Sequence, residues 1–148
     1  RVEDLLRDLD ELTATRPEFL LGKWIADARR WGTTDAERNL YEWNARNLIT
    51  LWGTKCTEGE NDDLNLYAFK EWSGMFSGYF LPRWRKFFDA LNGAFDSGTP
   101  FDRKPYAAAS CEWERRWSSD TAAAFRTAPV GDEIEVSRRL VRKWGVGR

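Results

Sequence analysis

The chain has 148 residues, enough for one domain that buries about 70% of its unfolded surface, and its nine tryptophans and 15% aromatic content exclude a disordered chain. Lys and Arg total 23 against 24 Asp and Glu, for a net charge of -1, which leaves no global basic field for nucleic acid or a membrane surface. There is no His, which removes the commonest general base, any Ser-His or Cys-His nucleophile and most zinc sites.

Apolar residues recur every three to four positions along the chain, the period of amphipathic helices. Val2, Leu5, Leu6, Leu9 and Leu12 line one face of a first helix, and Arg16-Pro17 breaks it, because proline disfavours helix at the residue before it. The chain opens on Arg1 directly in this pattern, which reads as a processed or truncated start, so the lack of a leader carries no information about location. Leu20, Trp24, Ala28 and Trp31, with Leu21 and Ile25 beside them, predict a second helix closed by Gly32. Thr34 and Glu37 form a capping-box pattern. A third helix is predicted from Ala36 to Trp52, apolar nearly all round and therefore expected to be buried on more than one side.

Gly53 to Asp63 is polar and reads as an exposed loop. From Leu64 the stripes Ala68, Trp72, Met75, Tyr79 and Phe69, Phe76, Phe80 predict a long helix, kinked or interrupted at Pro82, that resumes with Trp84, Phe87, Phe88, Leu91 and Phe95. Ser97 to Pro100 breaks the pattern. Tyr106, Trp113 and Trp117 mark a fifth helix reaching toward Phe125, and Ser137, Leu140, Val141 and Trp144 a last one, with Arg138, Arg139, Arg142 and Lys143 on its outer face. No segment alternates with period two, and no apolar run reaches the roughly 18 residues of a membrane span. The fold class is all-α: one bundle of about six helices over residues 1–148.

Aromatics at helical spacing are ordinarily core, and Trp24, Trp72, Trp84, Phe87, Phe88 and Trp144 are read so. Glycosidases use two carboxylates flanking a sugar, and the pairs Asp10–Glu11, Asp62–Asp63 and Glu112–Glu114 sit on polar faces or in a loop, without the apolar pocket that raises the pKa of a general acid. Cys56 and Cys111 lie outside any CxxC motif and can be free thiols or one disulfide. One stretch differs. Trp52 closes a helix before a long loop and Tyr67 follows that loop, so both rings can face one concave spot, giving a sugar flat apolar area and a polar tip. Core or loop packing is the alternative use of the same rings.

Five blocks carry a resemblance: Phe19 to Trp24 (FLLGKW), Tyr41 to Arg46 (YEWNAR), Leu48 to Gly53 (LITLWG), Tyr67 to Gly74 (YAFKEWSG) and Tyr79 to Arg85 (YFLPRWR). In order and spacing they are similar to the C-terminal helical domain of family-89 glycoside hydrolases, the α-N-acetylglucosaminidases, which include the lysosomal enzyme that degrades heparan sulfate. The likeness runs from about Asp10 to the end and is looser after residue 100. It implies a parent with a small N-terminal α/β domain and a (β/α)8 barrel, absent here, whose two glutamates perform retaining hydrolysis of terminal α-linked N-acetylglucosamine. No catalytic residue and no cofactor is then expected in this chain. The expected partners are such glycans and the intramolecular barrel, with no nucleic acid and no membrane span.

By the same resemblance Trp52 and Tyr67 line the sugar pocket, as does Leu64, and the protein is extracytoplasmic. The 53–63 loop departs from the family's pattern. Arg46, Arg83 and Arg85 fall in matching blocks and read as ties between helices or to the barrel. The alternative to a pocket-completing domain is an autonomous helical carbohydrate-binding or protein-interaction module; a small helical enzyme is a third reading, disfavoured by the missing His and metal motifs.

Overall fold

A computed structural model of the chain describes residues 1–52 and 66–145. Among them are six α-helices: α1 (Val2–Thr13), α2 (Leu21–Arg29), α3 (Asp35–Leu48), α4 (Leu81–Asp96), α5 (Arg103–Ser119) and α6 (Glu133–Trp144). A 3-10 turn (Pro17–Phe19) precedes α2 and a π turn (Phe76–Phe80) precedes α4. The described residues contain no strand, only a single parallel bridge between Leu20 and Ser73. The 53–63 loop, Cys56, the Asp62–Asp63 pair and Leu64 lie outside the described residues.

The helix starts follow local chemistry. At α3 the Thr34 hydroxyl accepts from Glu37 N–H at 3.2 Å while the Glu37 carboxylate accepts from Thr34 N–H at 3.0 Å, the reciprocal satisfaction of orphan donors that the sequence predicted. Hydrogen bonds from the Thr33 hydroxyl and from the Thr33 and Thr34 backbones hold Glu37 at about 2, well below its ordinary 4.5. A carboxyl lowered on folding contributes stability that is complete above its unfolded value and is lost as pH falls through the folded one, so the Glu37 half of this cap weakens as pH falls from 4.5 toward about 2. Asp132 caps α6 by accepting from Ile134 and Glu135 N–H, and Gly145 closes it at φ 68°.

The predicted helix from Leu64 is not helical over the described residues 66–74. Ser73 accounts for this: its N–H donates to Phe19 O at 2.9 Å and its carbonyl accepts from Leu21 N–H at 3.1 Å, so neither group is free to feed a helix. Gly74 then turns at φ 90°, and the helical path begins at Met75. Asp10 caps this start from another element, accepting from Gly74 N–H at 2.7 Å and Ser77 N–H at 3.1 Å. Leu81 N–H bonds back to Phe76 O, the wide spacing of a π turn, and Pro82 then sits in the first turn of α4, where its missing donor is tolerated.

The core gathers Leu21, Ile25, Ile49, Met75, Tyr79 and Trp117, with Trp24, Trp72, Trp113 and Phe125 packed around them. Helix α2 packs on α3, α3 and α4 on α5, and α1 on both α6 and the π turn. Asp8 of α1 is buried and accepts from Lys143 Nζ at 2.6 Å and from the Trp144 indole N–H at 2.8 Å, and Arg139 pairs with Glu11. Two of the four basic residues assigned to the outer face of α6 therefore turn toward α1. Helix α5 ends at Ser119, short of Phe125, and Asp120 accepts from Ala122 and Ala123 N–H in the turn that follows.

Gly22 in α2 lies so close to the 125–126 backbone that a Cβ would stand 2.3 Å from Arg126 O and 2.6 Å from Phe125 O. Alanine normally favours helix over glycine by about 1 kcal/mol, but here the collision is with backbone. Gly22→Ala is therefore expected to destabilise the domain by about 2–3 kcal/mol, read by thermal or urea unfolding followed by circular dichroism. An unchanged or raised midpoint would refute the close approach.

Candidate functional site

Helix α3 carries the site, and its two faces are inverted relative to an ordinary surface helix. Its inward positions are Glu42, Ala45 and Arg46, all buried, while Leu40, Tyr41, Trp43 and Leu48 face outward and are exposed. The helix is thus buried on one side only, and the expectation of burial on several sides is corrected. A second apolar surface runs along α4 and α1: Trp84, Phe88, Leu91 and Phe95 are exposed together with Val2 and Leu5. Trp84 stacks on Phe88 with ring planes 23° apart, so these two core assignments give way to a surface one. Trp24, Trp72, Phe87 and Trp144 are partly buried.

The inward face of α3 is a polar anchor. Arg46 is fully buried; its Nε and Nη2 donate to Glu42 Oε1 at 2.9 and 2.5 Å, and its Nη1 and Nη2 donate to the carbonyls of Trp117 at 3.0 Å and Ala123 at 3.4 Å. The rings of Trp117 and Phe125 flank the guanidinium, each 5.0 Å away. Arg29 completes the cluster with a 2.6 Å bond to Glu42 Oε2. The other two arginines of the matching blocks tie elements as well. Arg83 of α4 binds the buried Glu114 of α5, and Arg85 binds Glu3 of α1 at 2.5 and 2.7 Å. Glu114 is therefore sealed inside the bundle rather than placed on a polar face. Burial, and then the Glu114 charge, push the neighbouring Tyr79 phenol above its ordinary value.

Past the helix end, Ile49, Thr50 and Leu51 are buried in succession, and Trp52 swings outward, its N–H bonded to Asn47 O at 2.8 Å. Trp52 is 36% and Tyr67 72% exposed, with ring centroids 5.9 Å apart and planes at 53°. The two rings predicted to share a spot are adjacent and neither is sealed in the core. Tyr67 stands in a turn rather than at a helix start, and Leu64 lies outside the described residues. Trp52 (φ 51°) and Leu66 (φ 63°) are the only non-glycine residues with positive φ among the described residues, a conformation that costs a side-chain-bearing residue about 1–2 kcal/mol. Such strain concentrates where a fold positions groups for a ligand.

The reading of Arg46 as a tie between helices holds, but its burial and its partners were not legible. Glu42 and Arg46 stand four apart, the spacing of an ordinary surface ion pair, and nothing in the spacing tells a buried pair from a solvated one. Among the described residues no His/Cys/Asp/Glu group could hold a metal, and no helix is long and apolar enough to cross a membrane. Cys111 is disulfide-bonded.

Three comparisons bear on this arrangement. Residues 1–143 match the family described as "Alpha-N-acetylglucosaminidase (NAGLU) C-terminal domain". A human protein, alpha-N-acetylglucosaminidase, is 33% identical over 141 residues, which are 95% of this chain and 18% of that protein. A family 89 glycoside hydrolase from Clostridium perfringens, solved with 2-acetamido-1,2-dideoxynojirmycin, superposes with a TM-score of 0.76 at 28% identity, covering 95% of this chain and 16% of its own. An enzyme from the same organism, described as in complex with its substrate GlcNAc-alpha-1,4-galactose, gives a TM-score of 0.75 with the same identity and coverage. The chain thus spans less than one fifth of the length of these relatives.

Proposed function

The chain belongs to the alpha-N-acetylglucosaminidase C-terminal domain family, and from that premise we propose that it completes the sugar pocket of a retaining exo-α-N-acetylglucosaminidase. In this reading the enzyme removes terminal non-reducing α-linked N-acetylglucosamine, in keeping with the substrate named for the Clostridium perfringens relative. The two catalytic carboxylates lie on a barrel outside this chain, and hydrolysis passes through a glycosyl-enzyme intermediate. Trp52 supplies an apolar wall and Tyr67 a polar-tipped one; Leu64 is assigned beside them by resemblance.

The observation that carries the reading is the exposed, adjacent Trp52–Tyr67 pair at the end of a helix whose outward face is apolar. That face, with Leu40, Tyr41, Trp43 and Leu48 uncovered, is the kind of surface that marks an interface, and the barrel is the partner that covers it. The disulfide at Cys111 fits an oxidising, extracytoplasmic compartment.

Tyr67 is so exposed that removing its ring leaves the bundle intact, which makes it the clean probe. In a full-length family-89 enzyme carrying this chain, Tyr67→Ala is expected to lower kcat/KM for a chromogenic α-N-acetylglucosaminide about tenfold. An unchanged value in the folded variant takes Tyr67 out of the pocket. The isolated chain is expected to turn over none of that substrate. Clear turnover would place catalysis within it, and sugar binding without turnover would favour an autonomous binding module.

A further inference from the structure

Trp52 and Leu66, the residue before Tyr67, both have positive φ, and Thr50 lies two residues before the one and is bonded to the other. We propose that Thr50 is the positioning residue of the Trp52–Tyr67 wall, an inference that rests on the pocket reading above. Thr50 is fully buried. Its hydroxyl donates to Arg46 O at 2.7 Å and lies 3.4 Å from the Ser118 hydroxyl of α5. Its carbonyl accepts from Leu66 N–H at 2.7 Å. One residue therefore joins three things: the last turn of α3, the partner helix α5, and the turn at Leu66 that carries Tyr67.

The placement matters because both rings hang on left-handed backbone. Trp52 itself, and Leu66 immediately before Tyr67, adopt positive φ. A bulky residue keeps that conformation only where its surroundings over-determine it. Thr50 sits two residues before the first strained position and is hydrogen-bonded directly to the second. Its side-chain bond to Arg46 O fixes its own backbone and supplies a donor to a carbonyl at the helix end. Arg46 is in turn immobilised by Glu42 and by the carbonyls of Trp117 and Ala123. The route from the buried ion cluster to the two rings thus runs through Thr50, and the ring separation depends on its hydroxyl.

The test uses a full-length family-89 enzyme carrying this chain, with kcat and KM measured on a chromogenic α-N-acetylglucosaminide well below the unfolding temperature. Thr50→Val keeps the shape and removes the hydroxyl; it is expected to lower kcat/KM about tenfold, since small misplacements of a binding wall are costly. Thr50→Ser retains the hydroxyl and is expected to stay within about threefold of the parent. In a background lacking both rings (Trp52→Ala with Tyr67→Ala), Thr50→Val is expected to cause no further loss, because residues acting as one unit are non-additive. The proposal is overturned if Thr50→Val lowers only the melting temperature, if Thr50→Ser fails to rescue, or if the full loss recurs in the ringless background. Should Thr50→Val not fold, Ser118→Ala removes the other hydroxyl of the contact and must lower kcat/KM about threefold; no loss there equally overturns it. If the ringless background alone matches the parent enzyme, the pocket reading fails instead, and the two failures are distinguished.

Discussion

Arg46→Ala is expected to destabilise the domain by about 3–5 kcal/mol, the cost of breaking a buried ion pair by removing one partner. The guanidinium is fully buried and makes four hydrogen bonds, two to Glu42 and one each to the Trp117 and Ala123 carbonyls. Among the described residues, alanine leaves Glu42 buried with only its Arg29 contact, strips donors from two backbone carbonyls, and empties the space between the Trp117 and Phe125 rings. Arg46→Lys is also expected to destabilise, because an ammonium cannot reproduce a planar fork that is stacked between rings and bonded on three sides. At this domain size the alanine variant should lower the melting temperature by on the order of 10 °C, read by calorimetry or circular dichroism. A loss below about 1 kcal/mol would mean that Arg29 alone satisfies Glu42 and that the cluster is not the anchor of α3.

Trp52→Ala in the full-length enzyme should cost 10- to 200-fold in kcat/KM, on the order of 1–3 kcal/mol of transition-state binding for one apolar wall. Folding should be affected much less, because Trp52 is partly exposed and its ring packs on another exposed ring. The positive φ at this position separates the two effects further. Trp52→Gly removes the same ring but also relieves the left-handed strain, so it should be the more stable of the two variants by about 1 kcal/mol while being no more active. Retained kcat/KM in either folded variant removes Trp52 from the pocket. A glycine variant less stable than the alanine one would show that the strain is not borne there.

The helices were legible because their signals are local. The Thr34–Glu37 box, the Pro17 and Pro100 breaks and the spacing of Leu6, Leu9 and Leu12 each act within one or two turns, and the all-α class follows from them. The adjacency of Trp52 and Tyr67 was suggested by their places on either side of a loop and sharpened by the resemblance. What could not be read are facts set by distant groups. Residues 66–74 carry the first members of two helical stripes, Ala68 with Trp72 and Phe69, yet Ser73 spends its backbone groups on Phe19 and Leu21, more than 50 positions away in sequence. Trp84 and Phe88 look like core by spacing, yet the structure leaves them on its surface.

The same division runs through α3. By itself the sequence determined that a capped helix runs toward Trp52, because capping and periodicity are properties of neighbours along the chain; it read that helix as apolar nearly all round and carried it to Trp52, whereas it ends at Leu48. Only the tertiary structure decided which face turns inward, since a buried Glu42–Arg46 pair is tolerable only where Arg29, two backbone carbonyls and two aromatic rings from other segments complete it. With the charged face satisfied inside, the apolar face is left outward, and Trp52, past the end of that helix, and Tyr67 beside it are left exposed.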